Sequence, residues 1–210
     1  MKQLLGIWNQ KGNSQNLLEG IPRYGLENGE PLIETTITLK NWCLQHKVLV
    51  IEAVQTPLFG QSCLAYTYSN RTKLPPIYAT ESIAVACLGT IENIREIWEM
   101  LLSMGYSFET KTDGEIILHS INRYLETNFV SPILAIKTIM KRLRGDFAIM
   151  VLFAKEECLV VARSGYPLFI GTDDNGIVYV STSAEILTRS LPSFREIEDG
   201  EPMLLSSVNP

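Results

Sequence analysis

Apolar and polar positions change period along the chain. In the first third, apolar and β-branched residues fall in short runs, Leu4–Trp8, Leu32–Leu39, Lys47–Val54 and Ser62–Tyr68, separated by Gly, Pro and Asn. Such punctuated runs predict strands, with one short helix over Gln15–Gly20 among them. After a continuous apolar strand, Ile83–Leu88, the period lengthens. Thr90 is placed to cap a helix that carries Ile94, Ile97, Trp98 and Leu101 on one face and ends at Gly105. Thr112-Asp113-Gly114-Glu115 has the hydroxyl and carboxylate spacing of a capping box, followed by the stripe Ile117, Ile121 and Tyr124. A third helix is expected from Ser131-Pro132 to Gly145, with Ile133, Ile136, Met140 and Leu143 inward. The period then shortens again over Phe147–Phe153, Cys158–Ala162, Leu168–Gly171 and Ile177–Ser181, and Asp174-Asn175-Gly176 supplies turn chemistry for the last hairpin. These four runs predict an antiparallel meander.

Helices grouped in the middle, with hairpin-linked strands on either side, do not alternate as βαβ units. The pattern favours a layered α+β fold over a doubly wound parallel sheet. Ile83–Leu88 and the later strands are apolar at consecutive positions, as strands buried on both faces are. Two sheets stacked between helix layers would produce that pattern. No repeat or linker divides the chain, so residues 1–210 read as one domain.

Composition narrows the function. The chain carries 18 Lys+Arg against 23 Asp+Glu, a formal net charge of −5. Its longest basic cluster is Lys141-Arg142-Leu143-Arg144, at a helix end. Nucleic acid and anionic membranes are therefore not the expected partners. No apolar run has the length of a membrane span and no secretory signal opens the chain, so a cytoplasmic protein is expected. Cys43, Cys63, Cys87 and Cys158 stand among apolar neighbours without a C-x-x-C, as reduced structural thiols do. With only His46 and His119 available, neither in a catalytic context, a His-rich metal site is excluded. Nucleotide-loop and zinc-protease motifs are absent, and no cofactor is expected.

From about residue 80 onward, several stretches occur in one order. Ile83-Ala84-Val85-Ala86-Cys87-Leu88-Gly89-Thr90-Ile91-Glu92-Asn93 resembles I-A-V-V-H-N-G-I-I-E-N, and Thr110-Lys111-Thr112-Asp113-Gly114-Glu115-Ile116-Ile117 resembles S-E-T-D-T-E-V-I. Leu143 to Ala148, Ala162 to Gly171 and Asp199-Gly200-Glu201 follow at matching spacing. Together they are similar to the type-2 glutamine amidotransferase domain, in particular the glutaminase domain of glucosamine-6-phosphate synthases. The resemblance implies the N-terminal-nucleophile fold, a four-layer αββα sandwich with two antiparallel sheets between helix layers. The N-terminal third matches faintly, with Leu5-Gly6 and Ala65-Tyr66-Thr67-Tyr68 at the corresponding places.

The resemblance implies a glutamine amide cleaved by an N-terminal Cys, and here Lys2 follows Met1. An ε-amine with a reference pKa of about 10.4 is no substitute for a thiolate. The oxyanion Asn of the family corresponds to Leu88, which leaves the Gly89 N–H as the surviving donor. The Arg that grips the glutamine carboxylate corresponds to Tyr68, or to Cys63 in a shifted register, with Arg71 as a candidate replacement. The Asp that receives the α-ammonium is retained as Asp113, which equally suits a first-turn helix charge. Tyr66, Thr67 and Tyr68 are candidate ligand-lining positions. Cys87 is a conceivable but disfavoured nucleophile, because it alternates with Ile83 and Val85 and has no adjacent cation. The expectation is a catalytically silent amidotransferase-like domain that binds a small molecule or a protein partner, without sugar isomerase domains. The alternative is a working glutaminase subunit with a displaced nucleophile that feeds a separate synthase. Self-association is left open.

Overall fold

The computed structural model describes residues 3–9, 33–39, 48–52, 62–67, 77–80, 82–128, 130–188 and 191–206. The expected helix Gln15–Gly20 lies outside them. Twelve strands and four helices are described. In chain order they are β1 (Gln3–Asn9), β2 (Ile33–Leu39), β3 (Val48–Glu52), β4 (Ser62–Thr67), β5 (Ile77–Ala79) and β6 (Ile83–Ile91). Helices α1 (Ile94–Ser103), α2 (Asp113–Asn128) and α3 (Pro132–Met140) follow. The chain then forms β7 (Gly145–Phe153), β8 (Cys158–Ser164), β9 (Phe169–Thr172), β10 (Ile177–Ser181), α4 (Ala184–Thr188), β11 (Phe194–Glu196) and β12 (Met203–Ser206).

The strands form two antiparallel sheets, of order β11-β9-β10-β1-β4-β2-β3 and β12-β8-β7-β6-β5. Alternation of side chains sorts the apolar positions into layers. Ala84, Ala86 and Leu88 of β6 and Ala148, Met150 and Leu152 of β7 pack with Leu4, Trp8, Leu64, Val178 and Val180 of the other sheet. The intervening Ile83, Val85, Cys87, Phe147, Ile149 and Val151 pack instead against Ile117, Ile121, Ile136 and Met140 of the helices. On the far side, Leu5, Ile7, Ile177 and Tyr179 meet Ile186 and Leu187 of α4. The layers are thus α1–α3, five-stranded sheet, seven-stranded sheet and α4, which is the αββα sandwich. Phe147 to Phe153 are at most 1% exposed, as strands covered on both faces must be.

Three expectations are corrected. The four strands after α3 do not form one meander, because β7 and β8 join the five-stranded sheet whereas β9 and β10 join the other. The Ser164–Leu168 connection crosses between layers, and its Gly165 takes φ +64° with no room for a side chain beside Asp146. Thr90 does not cap α1, because β6 continues through it, pairing Thr90 with Asp146, and the cap position falls at Asn93. Asn93 caps nothing with its side chain. Its amide donates to the Arg142 carbonyl at 2.8 Å and its oxygen accepts from Arg144 N–H at 2.9 Å, tying the start of α1 to the α3–β7 connection. The third correction concerns the capping box of α2, which forms by half. Thr112 Oγ1 accepts from Glu115 N–H at 3.3 Å, but the Glu115 carboxylate reaches past Thr112.

Candidate functional site

Among the described residues, the positions singled out by the resemblance lie on three elements, β1, the end of β4 and the β6–α2 region. β1 runs centrally in its sheet, between β10 and β4. Its head is fixed by hydroxyls absent from the sequence reading. Leu4 N–H donates to Thr182 Oγ1 at 2.9 Å, Leu4 carbonyl accepts from Thr182 N–H at 3.2 Å, and Ser181 Oγ donates to the same carbonyl at 3.1 Å. Ser181 and Thr182 are buried, so these bonds are desolvated anchors rather than solvated contacts. A Ser-Thr-Ser run at the end of a strand was the available signal. Tyr66 and Thr67 end β4, and their backbones pair with Leu4 and Gln3. The side chains of Tyr66 and Thr67, and the whole of Lys2, Tyr68 and Arg71, lie outside what the structure describes. His46 and Cys43 lie outside it as well, as does the side chain of Cys63.

Leu88 is 7% exposed and shares the inter-sheet cluster with Leu4 and Trp8. Its row across the sheet continues through Ala148 to Arg163. Arg163 is the cation in that row, but its guanidinium is already engaged. It donates to the Ile197 carbonyl at 2.6 Å and pairs with Glu196 at 3.0 Å and Asp199 at 3.6 Å. Gly89 follows with φ +106°, and a β-carbon there would collide with the Asp146 carbonyl. That close approach of β6 to β7 explains the glycine without reference to chemistry.

Asp113 opens α2, in its first turn beside Glu115. Gly114 lets this end approach β5 and β6 closely, since a β-carbon would lie 3.3 Å from Tyr78 Cβ and 3.4 Å from the Val85 carbonyl. Asp113 is therefore brought to the helix side of β6, next to Cys87. Burial pushes the Cys87 thiol up, and the Asp113 charge pushes it further. A thiol so placed is a poor nucleophile, as expected for a residue on the helix-facing side of the sheet. Cys158 is likewise free and buried, its thiol raised to about 12 by burial and by Glu156.

The loop before α2 is held from below by Glu115, which is fully buried. Its carboxylate accepts from Glu109 N–H at 2.5 Å, Thr110 N–H at 2.7 Å, Thr110 Oγ1 at 2.7 Å and Lys111 N–H at 2.6 Å. Burial alone would raise its pKa, but these hydrogen bonds outweigh it and lower the value. The clamp sustains a φ of +56° at Lys111, an uncommon conformation for a side chain of that size. Tyr78, which donates to Glu109 at 3.5 Å, is raised to about 12 by burial and by Glu115 and Glu109. Two carboxylates and a neutral phenol thus brace the loop that delivers Asp113.

A family model described as a glutamine amidotransferase domain matches residues 63–189. The chain belongs to that family. The match starts upstream of residue 80 and takes in β4 as well as both later hairpins. Among relatives, the isomerizing glutamine–fructose-6-phosphate aminotransferase of Bartonella henselae is 42% identical over 130 residues, 61% of this chain and 21% of its own length. The enzyme of the same name from Bradyrhizobium diazoefficiens is 40% identical over 156 residues, 71% of this chain and 25% of its own. The chain therefore spans a quarter or less of these two relatives. Among solved structures, the glutamine phosphoribosylpyrophosphate amidotransferase of B. subtilis, complexed with ADP and GMP, aligns with TM-score 0.75 and 18% identity over 97% of this chain and 47% of that one. A predicted glutamine amidotransferase from Pseudomonas aeruginosa aligns with TM-score 0.56 and 13% identity over 98% and 97% of the two chains. Both extend the likeness in fold to the strands before residue 63, which the family model does not reach.

Proposed function

We propose that this amidotransferase-like domain does not hydrolyse glutamine and serves as a binding module for an uncharged small molecule or a partner's side chain. The observation that carries the reading is Leu88. An oxyanion site needs donors preorganised toward developing charge, and a buried leucine packed on Leu4 and Trp8 donates nothing. Losing one of two such donors costs about 10²–10³ in rate by itself. The sequence adds Tyr68 where the family has its carboxylate-gripping Arg, and Arg163, the described cation in the Leu88 row, is committed to Glu196 and Asp199. Asp113 alone supports recognition of an ammonium group. The competing reading, an active glutaminase subunit, requires a nucleophile elsewhere. Cys87 is unsuited, being buried on the helix face with its thiol pushed up.

The test is ammonia release from glutamine together with titration by glutamine and glutamate in a calorimeter. No release above background and no sub-millimolar glutamine binding are expected. Ammonia release, or tight glutamine binding lost in Asp113→Ala, would overturn the reading. Asp113→Ser separates the two roles of this residue, since serine keeps a helix-start side chain while removing the charge.

A further inference from the structure

The β9–β10 hairpin turns through Asp173-Asp174-Asn175-Gly176, and the function proposed above makes no use of it. Asp174 and Asn175 are exposed, and no hydrogen-bond partner among the described residues holds the Asn175 side-chain amide. Gly176 follows with φ +82° and has no β-carbon to shield its backbone nitrogen. Attack of that nitrogen on Asn175 Cγ would close a five-membered ring. In the closed turn the nitrogen is occupied, since Gly176 N–H donates to the Asp173 carbonyl at 3.0 Å. Asp173 also holds the turn with its side chain, Oδ1 accepting from Asn175 N–H at 3.0 Å and from Ile177 N–H at 2.8 Å. Asn28-Gly29, the other Asn-Gly dipeptide of the chain, lies outside the described residues.

We propose that Asn175-Gly176 is a self-modification site, at which Asn175 converts to aspartate and isoaspartate, and that Asp173 sets the rate by holding the turn closed. An exposed hairpin end opens locally at little cost, so the attack starts from the opened turn while the sheets stay intact. The Gly176 nitrogen bonds to Asn175 Cγ, the Cγ–Nδ2 bond breaks, and the Gly176 amide proton leaves with the side-chain nitrogen as ammonia. Solvent water then opens the cyclic imide. Addition at Cγ restores the main chain and leaves an aspartate, whereas addition at the α-carbonyl carbon routes the main chain through Cγ as isoaspartate. Nothing is oxidised or reduced, and water is the one co-reactant. Either product sets a third carboxylate beside Asp173 and Asp174 and makes the formal net charge one unit more negative than −5. Isoaspartate also lengthens the main chain by a methylene just before Gly176, which displaces its N–H from the Asp173 carbonyl. This chemistry is independent of the amidotransferase cleft, and it releases one ammonia per site without turnover.

The experiment incubates the 210-residue chain without glutamine at neutral and at mildly alkaline pH, with and without urea. The peptide that contains residue 175 is then followed by mass spectrometry, with its aspartyl and isoaspartyl forms separated. The folded chain should gain both forms at residue 175, faster at alkaline pH because the attacking nitrogen must lose its proton. Conversion should be several-fold faster again in urea, where the bond to the Asp173 carbonyl is gone. Asp173→Ala, which removes the side-chain hold on the turn, should raise the rate several-fold without urea. Should that variant unfold, the comparison of the parent chain with and without urea still decides. A folded chain that forms no isoaspartate at residue 175 would overturn the site. Equal rates with and without urea, or an unchanged rate in folded Asp173→Ala, would overturn the role of Asp173.

Discussion

Glu115 shows how one residue controls the neighbourhood of Asp113. Three consecutive backbone N–H groups and a hydroxyl converge on one buried carboxylate, so removing its charge strands donors that the fold has already taken from water. Glu115→Gln is expected to cost about 2–3 kcal/mol at neutral pH. The folded-state pKa lies below the ordinary glutamate value of about 4.3, so this stabilisation is present above that value and is lost as pH falls through the folded pKa. The gap between parent and variant in urea unfolding should therefore be full at pH 7 and narrow in acid, and a gap that widened toward acid would contradict the assignment. Gly89 makes a different residue-scale case. With φ +106° and the Asp146 carbonyl where a β-carbon would go, Gly89→Ala should destabilise by about 2 kcal/mol or more without touching any reactive group. Chemical denaturation reads it, and a neutral effect would mean that β6 and β7 can separate at this point.

At the scale of elements, the helix layer is held by a side chain that connects segments rather than capping one. Asn93 is 6% exposed and satisfies both a carbonyl and an N–H of the α3–β7 connection. Asn93→Ala should cost about 1–3 kcal/mol, whereas Thr90→Val, at an exposed strand position, should cost well under 1 kcal/mol. Thermal unfolding of the two variants distinguishes a tie at Asn93 from a cap at Thr90. The sequence pointed to Thr90 because a hydroxyl before an apolar-periodic run is a cap signal, but the strand ladder to β7 claims that residue first. The same competition explains the half-formed box at α2, where the glutamate serves three N–H groups of the preceding loop instead of the one at the cap.

For the whole molecule, the proposed function separates the amidotransferase fold from the amidotransferase reaction. One inter-sheet cluster joins Leu4, Trp8 and Leu64 of one sheet to Leu88, Ala148 and Met150 of the other, so Leu88 is part of the packing that holds the two sheets together. Residues that act as one catalytic unit are strongly non-additive. Lys2→Cys alone should remain without glutaminase activity, and recovery is expected only when Leu88→Asn and Tyr68→Arg accompany it. Ammonia release by the single variant, measured with a coupled assay, would show that the remaining groups suffice. The sequence by itself determined the layered α+β class, the helical stripes of Ile117, Ile121, Ile136 and Met140, the doubly covered strand at Phe147–Phe153 and the candidate positions Leu88, Gly89 and Asp113. All of these are local, because alternation, helical period and a collinear motif are properties of neighbouring residues. Tertiary structure alone decided that β7–β8 and β9–β10 part into different sheets, that Asp113 comes up beside Cys87 while Leu88 faces the other layer, and that Ser181, Thr182, Asn93 and Glu115 hold the frame. Those outcomes depend on partners far apart in sequence, such as Leu4 with Thr182 or Asn93 with Arg142, and no local pattern encodes which distant carbonyl or N–H a buried polar side chain will meet.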